Sequence, residues 1–222
     1  MKVTLLVPTL NEISGMKEIM PRIKREWIDE ILVLDGGSTD GTVEYAVSYG
    51  YRVVNQKSKG ITKAIEEGIE ASSGDVMIAF SPDGNSVPEF IPQLIEKMKE
   101  GYDMVIASRY LKGAKSEDDD AVTAFGNRMI TATINILFGG HHTDSLVMFR
   151  AWKRSLEKHV PINVPRAGFE PYLAIRCAKR KLRYTEIPVS EPKRIGGVRK
   201  MNPLKNGLDI LKLIIHEFFS KD

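Results

Sequence analysis

The first half of the chain alternates short apolar runs with longer amphipathic segments, and this alternation limits the fold more than any other feature. The runs are rich in Val, Ile and Leu and lack polar alternation, which is typical of parallel strands buried on both faces. The segments between them have helical length, as in βαβ units. The runs cover residues 3–7, 30–35, 51–55, 76–80 and 103–108. We therefore predict an α/β fold with a mostly parallel central sheet and helices on both faces.

Length, charge and cysteine content narrow the class of protein. With 222 residues, of which 42% are hydrophobic, the chain is near the size of one large domain. The formal net charge of +3 is too small to indicate a nucleic-acid binder, and we find no recognition module, so no nucleic-acid partner is expected. Cys177 is the only cysteine, which excludes an intramolecular disulfide and favours a reducing compartment such as the cytoplasm.

Two amphipathic segments in the second half are predicted to be helices. One covers residues 125–138 and follows a charged segment, residues 112–120, that we predict to be a mobile loop outside the core. The other is preceded by Asn202 as a cap and has Pro203 at its first position. Its apolar face comprises Leu204, Leu208, Leu211, Ile215 and Phe218. Charged residues interrupt this segment, so no apolar run is long enough to span a bilayer, and we expect a soluble or peripheral protein.

Polar clusters follow three of the predicted strands, at residues 8–12, 35–40 and 81–85. In parallel sheets, ligands bind at the carboxyl ends of the strands, where these clusters would lie. Asp35 is followed by two glycines that allow a tight turn, and its carboxylate can accept from the base or ribose of a nucleotide. The alternative is an ordinary strand-to-helix turn in which Asp40 caps the next helix.

These clusters belong to a set of motifs that resembles family 2 glycosyltransferases. The motifs PTLNE, LDGGSTDGT, SPDGNSVPE, SRY and DSLVMFRA occur in the order found in that family, and the similarity covers nearly the whole chain. The chain is most similar to the dolichol-phosphate mannose synthase branch. The resemblance implies the Rossmann-like nucleotide-diphospho-sugar transferase fold (GT-A), inverting chemistry and a divalent metal. It further implies a single catalytic domain, with residues 1–110 binding the donor and residues 111–222 the acceptor.

The resemblance also implies where the donor and the metal bind. The residues implied for donor binding are Pro8, Thr9, Asn11, Glu12, Asp35, Gly36, Lys63, Ser81 and Pro82. Asp83 and Asn85 are implied as ligands of Mg²⁺ or Mn²⁺, and the two donor phosphates would complete the metal's coordination. The family usually has aspartate where this chain has Ser81, and one carboxylate should bind a metal more weakly than two.

The acceptor side is implied by the later motifs. Catalytic roles are implied for Asp83, Asp144 and Arg194, and acceptor binding for Arg109, Arg128, Glu170 and Lys200. Arginine suits a phosphate because its planar guanidinium offers two parallel donors. A phosphate acceptor is already ionised and needs no base, whereas a hydroxyl acceptor would require Asp144 or Glu170 to take its proton. Val147 and Met148 stand where the family more often has serine and glycine.

The resulting hypothesis is an inverting transferase that moves a sugar from a UDP- or GDP-sugar to a polyprenyl or dolichyl phosphate. We expect it to be cytoplasmic and peripherally associated with the cytoplasmic face of a membrane, because its amphipathic helices can lie in the interface or mediate dimer contact. One alternative keeps the donor but uses a hydroxyl of a glycan or small molecule. A second is a noncatalytic nucleotide-sugar or lipid-phosphate binding module, motivated by Ser81. A nucleotidyltransferase is disfavoured because its Gly-rich, basic phosphate loop after the first strand is absent.

Overall fold

A computed structural model of the chain describes residues 1–158, 168–196 and 203–220. Within these residues, helices cover both faces of a seven-stranded sheet. The strands are β1 (Val3–Thr9), β2 (Glu30–Asp35), β3 (Arg52–Asn55), β4 (Val76–Ala79), β5 (Met104–Ser108), β6 (Arg150–Lys153) and β7 (Tyr184–Pro188). The α-helices are α1 (Ile13–Ile19), α2 (Thr42–Ser48), α3 (Ile61–Ala71), α4 (Ile91–Lys99), α5 (Ala121–Phe138), α6 (Phe169–Lys179) and α7 (Pro203–Phe219). Short 3₁₀ helices cover Met20–Arg22, Arg25–Trp27, Pro88–Phe90 and Arg154–Lys158.

The strand order is β3-β2-β1-β4-β6-β5-β7. The pairs β1–β2, β1–β4, β2–β3 and β5–β7 are parallel, while β6 runs antiparallel to both of its neighbours, β4 and β5. The predicted mostly parallel α/β sheet is therefore confirmed. The apolar runs did not reveal β6, because its four residues begin with Arg150 and end with Lys153.

The sheet is buried on both faces because successive side chains of a strand point in opposite directions. In β1, Leu6 packs into a cluster on one face, while Leu5 and Val7 pack into a cluster on the other. None of the three side chains has any exposed surface. This explains why the sequence of the strand is continuously apolar instead of alternating.

Helix α5 begins four residues earlier than the predicted Phe125. Asp120 caps it, and its side chain accepts a hydrogen bond from the backbone N–H of Thr123 at 2.7 Å. The buried side of the helix includes Thr131, whose hydroxyl is hydrogen-bonded to Ser145 at 2.8 Å. The outer side exposes large apolar side chains, namely Val122, Phe125, Met129, Ile136 and Leu137.

Helix α7 packs on the domain with a different face from the one the apolar pattern suggests. Its buried side chains are Ile210, Leu213, Ile214 and Glu217, while Leu208, Leu211, Ile215 and Phe218 are exposed. Arg176 of α6 holds the helix through an ion pair with Glu217, with 2.9 Å between Arg176 Nε and Glu217 Oε2. The predicted cap, Asn202, lies outside the described residues. No helix in the described ranges has the length and apolar character needed to cross a bilayer.

The charged segment 112–120 has no helix or strand, as predicted, but the expectation that it stays outside the core was wrong. Its backbone pairs with the residue that follows β7 by three positions: Glu117 N donates to Glu191 O at 2.8 Å, and Glu191 N donates to Lys115 O at 2.9 Å. The side chain of Asp119 within the segment is only 2% exposed. The buried guanidinium of Arg109, which pairs with Asp119 and Glu191, accounts for this docking.

Candidate active site

The carboxyl ends of β1 and β2 bring the first two polar clusters together. The parallel register places Thr9 beside Asp35, and Thr9 Oγ1 donates a hydrogen bond to Asp35 Oδ1 at 3.4 Å. The buried Asp35 carboxylate also accepts from the backbone N–H groups of Gly37, at 2.8 Å, and Ser38, at 3.0 Å. The carboxylate thus shapes the turn after β2. Its contact with a nucleotide stays a prediction.

Asn11 ties the turn after β1 to the turn after β2. Its backbone φ of +58° lies in the left-handed region, which asparagine tolerates better than most residues. Asn11 N donates to Ser38 Oγ at 2.9 Å, and Asn11 Oδ1 accepts from Thr39 N at 2.8 Å. The two turns therefore form one surface, which also includes Gly36 after β2, while Pro8 is buried within β1.

The Asp40 carboxylate accepts from the first backbone N–H of two helices at this edge of the sheet. Its Oδ1 accepts from the backbone N–H of Thr42, the first residue of α2, at 3.0 Å. Its Oδ2 accepts from the backbone N–H of Ile13, the first residue of α1, at 3.1 Å. Asp40 thus binds the start of the following helix, as the alternative interpretation expected, but the N-cap residue of α2 is Gly41.

Lys63 lies in the first turn of α3, which packs on β1 and β2. Its Nζ is 2.5 Å from Glu66 Oε2, and its side chain is 42% exposed. The structure describes this ion pair and no contact between Lys63 and the turns after β1 and β2. A role for Lys63 in donor binding stays a prediction.

Arg194 joins the first and third polar clusters. Its Nη2 lies 2.5 Å from Asp83 Oδ2, and its Nη1 lies 3.3 Å from Glu12 Oε1. Asp83 is buried, and its Oδ1 accepts from the backbone N–H of Asn85 at 3.1 Å. Three residues predicted from separate motifs thus form one cluster, across a separation of 182 positions between Glu12 and Arg194. Ser81 lies next to this cluster, with its backbone N–H donating to Ser86 Oγ at 3.2 Å.

Two glycines allow the chain to pack tightly around Asp83. A Cβ at Gly15 in α1 would lie 2.2 Å from the carbonyl oxygen of Pro82, so only glycine fits there. Gly84 has a φ of +94°, and a Cβ there would lie 2.9 Å from the side chain of Ile195. Sequence reasoning missed Gly15, although a glycine inside a helical pattern is a signal of close packing.

Asn85 is turned toward the docked loop. Its Nδ2 donates to Asp118 Oδ2 at 3.0 Å and to Glu191 Oε1 at 3.2 Å. Its Oδ1 is buried and accepts no hydrogen bond from the described residues. Neither Asp118 nor Glu191 was singled out from the sequence, since Glu191 is 106 positions away from Asn85.

Arg109 is buried among three carboxylates. Its Nε lies 2.7 Å from Asp144 Oδ2, and its Nη2 donates to Asp144 Oδ1 at 3.0 Å. Its Nη1 lies 3.4 Å from both Asp119 and Glu191. Burial disfavours the charged guanidinium, but the carboxylates, Asp144 foremost, outweigh this and raise the pKa of Arg109. All three guanidinium nitrogens therefore face carboxylates, and the predicted contact with an acceptor phosphate stays untested.

Arg128 has a different environment. Its guanidinium lies over the ring of Tyr110, 5.2 Å from the centroid, and Arg109 also lies 5.1 Å from the same ring. The Tyr110 hydroxyl is held by Asp119 and Asn127. Arg128 is exposed, and no carboxylate of the described residues pairs with it. Of the two arginines, Arg128 is the one whose donors remain accessible to a ligand.

Asp144 is completely buried at the start of the segment that leads into β6. Besides Arg109, its Oδ1 accepts from the backbone N–H groups of Leu146, at 3.2 Å, and Val147, at 3.1 Å. Glu186 of β7 accepts a hydrogen bond from the backbone N–H of Thr143 at 2.9 Å, which ties this segment to the sheet. Burial raises the pKa of Glu186, and the hydrogen bonds from Thr143 oppose that shift.

Glu170 lies in the first turn of α6, beside the buried Arg150. Arg150 donates to the carbonyl oxygens of Ser145, at 3.1 Å, and Glu170, at 2.9 Å, so it links α6 to the segment that follows Asp144. Burial raises the pKa of Glu170, while the charge of Arg150 opposes the shift. Lys200, which was also predicted on the acceptor side, lies outside the described residues.

The fold and the polar edge together define the class of this protein. A mostly parallel sheet carries buried carboxylates and arginines at the carboxyl ends of its strands, which is where α/β enzymes bind their ligands. The architecture is that of the GT-A glycosyltransferases. Residues 4–160 match the family described as glycosyl transferase family 2, and the chain belongs to that family.

Several curated relatives are similar to the chain over half of its length or more. Glycosyltransferase AglJ of Haloferax volcanii is 29% identical over 210 residues, covering 92% of this chain and 68% of the relative. A dolichyl-phosphate hexose transferase of the same organism is 28% identical over 209 residues, covering 93% of this chain and 90% of the relative. A dolichol-phosphate mannosyltransferase of Pyrococcus furiosus is 39% identical over 126 residues, covering 53% of this chain and 36% of the relative.

Solved structures share the fold. Glucosyl-3-phosphoglycerate synthase from Mycobacterium tuberculosis, in complex with Mn²⁺, UDP and phosphoglyceric acid, has a TM-score of 0.76 and 24% identity. The match covers 100% of this chain and 80% of the synthase chain. The same synthase with Mg²⁺ and UDP gives a TM-score of 0.74. These similarities establish the GT-A fold.

Proposed function

We propose that this glycosyltransferase moves a sugar from a UDP- or GDP-sugar to a polyprenyl phosphate, with inversion at the anomeric carbon. The observation that carries the proposal is the position of Arg128. Its accessible guanidinium lies on α5 beside Phe125 and Met129, which are 69% and 53% exposed. A cation that can bind phosphate, set in an apolar surface, fits an ionic head group attached to a long hydrocarbon chain. Relatives named for dolichyl or undecaprenyl phosphate agree with this acceptor class.

The donor would bind at the joined turns after β1 and β2, next to the cluster of Glu12, Asp83 and Arg194. Arg194 is the side chain placed to meet the diphosphate, because a guanidinium pairs with phosphate oxygens through parallel hydrogen bonds. It would have to leave Asp83 when the donor and a metal bind. The segment that carries Arg194 packs through Ile195 against Gly84, so this contact would have to shift for Arg194 to reach the diphosphate.

A divalent cation, Mg²⁺ or Mn²⁺, would be held by Asp83 and by Asn85 Oδ1. The described residues contain no cluster of three or more His, Cys, Asp or Glu side chains arranged as metal ligands. They do provide one carboxylate and one buried amide oxygen that accepts no hydrogen bond, both oxygen donors of the kind these cations prefer. When bound, the cation would neutralise charge on the departing diphosphate.

The environment of Asp144 favours a phosphate acceptor over a hydroxyl acceptor. Both of its oxygens accept from the Arg109 guanidinium, and two backbone N–H groups also donate to it. The Asp144 side chain is also completely buried, so neither of its oxygens is open to an acceptor hydroxyl while these donors are in place. A phosphate acceptor is ionised without a base. The hydroxyl alternative would instead rely on Glu170, whose pKa is raised by burial.

The exposed apolar side chains of α5 and α7 would rest on a membrane surface. The two helices contact each other, and Phe138 of α5 packs edge-on against Phe218 of α7 with 6.4 Å between ring centroids. Both helices expose further large apolar side chains. Apolar patches of this kind mark interaction sites. Flotation with liposomes of anionic phospholipid would test this contact, and self-association without lipid binding would contradict it.

The function is tested by sugar transfer into an organic-extractable product. Radiolabelled UDP- and GDP-sugars are incubated with a polyprenyl phosphate, with and without Mn²⁺. We expect Mn²⁺-dependent label in the organic phase from one of the donors. Turnover of the donor without label in the lipid would favour the alternative in which the acceptor is a hydroxyl. A protein that binds nucleotide but never turns the donor over would be the noncatalytic module suggested by Ser81.

A further inference from the structure

We propose that Asp118 and Glu191 are positioning residues for the metal ligand Asn85: they hold its amide so that Oδ1 is the atom presented to the cation. The inference rests on the proposed metal site at Asp83 and Asn85. It also gives a function to the charged loop of residues 112–120, because this loop carries Asp118 to the Asn85 amide. Neither acidic residue is proposed to touch the metal.

The two carboxylates fix the orientation of the Asn85 amide. An asparagine amide has one end that only donates and one that only accepts. Asp118 and Glu191 both receive hydrogen bonds from Nδ2, at 3.0 and 3.2 Å. Rotating the amide by 180° would place Oδ1 against two carboxylate oxygens and replace two attractions by two repulsions. Oδ1 is therefore held on the side away from both carboxylates.

The free Oδ1 is the observation that points to a ligand. It is buried without a hydrogen-bond donor among the described residues, and leaving a buried acceptor in that state is unfavourable. The Asx-type hydrogen bond from Asn85 N to Asp83 Oδ1, at 3.1 Å, keeps the two side chains on one tight turn. A cation bound by Asp83 would satisfy the Oδ1 lone pairs.

The same arrangement explains why an amide, and not a second carboxylate, occupies this position. A carboxylate at residue 85 would lie within hydrogen-bond distance of two other carboxylates and would have no proton to share with them. Asn85 also connects the metal site to the acceptor side, because Glu191 lies 3.4 Å from Arg109, which in turn binds both oxygens of Asp144.

Direct binding of Mn²⁺ tests the inference without relying on turnover. The free Mn²⁺ signal in electron paramagnetic resonance is titrated with the protein in the presence of UDP and, separately, GDP. The variants are Asn85→Asp, Asp118→Asn and the double variant that exchanges the two groups. In the double variant, the amide at 118 donates to the carboxylate at 85 and still accepts from Arg194 N, which lies 3.4 Å from Asp118 Oδ1. Total charge is the same as in the wild type.

We expect each single variant to weaken Mn²⁺ binding by about tenfold, as loss of an outer partner of a metal ligand typically does. The double variant should return to within about threefold of the wild type, because groups in contact are strongly coupled. The matched control is Asp119→Asn, which removes the same charge one residue further along and contacts Arg109 and Tyr110 instead of Asn85. Its Mn²⁺ affinity should stay within about twofold of the wild type.

Two outcomes would overturn the inference. One is tighter Mn²⁺ binding by Asn85→Asp in the otherwise unchanged protein, as expected if residue 85 simply gains by adding charge. The other is a double variant whose loss equals the product of the two single losses. The proposed metal site itself is tested by Asp83→Asn, and Mn²⁺ binding that survives this change would disprove the site. If Asp83→Asn abolishes Mn²⁺ binding but Asp118→Asn leaves the Mn²⁺ affinity unchanged, only the positioning role is disproved. Circular dichroism confirms that each variant is folded.

Discussion

The Arg194 guanidinium lies 2.5 Å from the Asp83 carboxylate, which is the group proposed to hold the metal ion. Asp83 is buried, so its charge requires a partner in the absence of ligand. If Asp83 holds the metal, the ion and Arg194 would compete for the same carboxylate. The diphosphate of a bound donor would then provide Arg194 with another anion.

We predict opposite effects of Arg194→Gln on metal binding and on catalysis. Without nucleotide, Mn²⁺ affinity should rise by about tenfold, because a buried charge-assisted contact of roughly 1.5 kcal/mol no longer has to be broken. Sugar transfer should fall, because the leaving diphosphate loses its arginine. Calorimetric Mn²⁺ titration and initial rates measure the two effects. Lys193→Gln, an exposed neighbour, is the control. Weaker Mn²⁺ binding by the Arg194 variant would show that no competition exists.

Changes at the two ends of the SPD segment should affect metal use in opposite directions. Asp83→Ala removes the carboxylate that the proposed site depends on, so Mn²⁺-dependent donor turnover should be abolished. Ser81→Asp restores the acid usual in the family and should tighten Mn²⁺ binding by about tenfold, because carboxylates are strong ligands for this cation. Donor hydrolysis at a series of Mn²⁺ concentrations measures both. Retained turnover in Asp83→Ala would contradict the site.

Arg128→Ala should weaken the acceptor more than the donor. Loss of hydrogen bonds to a charged phosphate is worth about 1.5–3 kcal/mol, so KM for the polyprenyl phosphate should rise by about 10- to 100-fold. KM for the nucleotide sugar should change by less than about twofold. Arg128→Lys should be intermediate, since it keeps the charge but loses the planar fork over Tyr110. An equal loss of nucleotide affinity in the alanine variant would refute this division of roles.

Two glycines inside helices provide a matched test of close packing. Gly15→Ala places a Cβ 2.2 Å from the backbone oxygen of Pro82 and should lower the free energy of unfolding by about 1–3 kcal/mol. Gly126→Ala in α5 meets no atom within 4 Å and should raise it by about 0.5–1 kcal/mol. Urea denaturation measures both. Equal effects of the two substitutions would mean that α1 does not pack closely on the segment before Asp83.

His142 should make the protein less stable at mildly acidic pH. Burial lowers its pKa to about 4 from an ordinary 6.5, although its ring hydrogen bond with Ala174 O opposes the shift. Between these values the unfolded chain binds a proton that the folded protein does not, so stability is lost as pH falls below 6.5. Relative to His142→Gln, the wild type should lose about 1–2 kcal/mol of unfolding free energy between pH 7 and pH 5. His216→Gln, at an exposed position, is the control.

The apolar runs determined the central sheet because a strand buried on both faces must be apolar throughout. The polar motifs after β1, β2 and β4 likewise predicted one edge of the sheet as the site. Strand β6 escaped prediction, since only its pairing with β4 and β5 makes Arg150–Lys153 a strand. The face of α7 that is buried also escaped, because an apolar helix surface can pack on a protein or remain exposed with the same periodicity.

The sequence by itself determined the fold class, the family and the residue types gathered at the carboxyl ends of the strands. Periodicity and turn chemistry are local properties of the chain and indicated the fold class, whereas the ordered motifs indicated the family by resemblance. The tertiary structure alone decided how the charges pair: Arg109 with three carboxylates, Arg194 with Asp83, and Asn85 with Asp118 and Glu191. These partners come from distant parts of the chain, and a charge acquires its role only from the charges that folding places beside it in a low-dielectric interior.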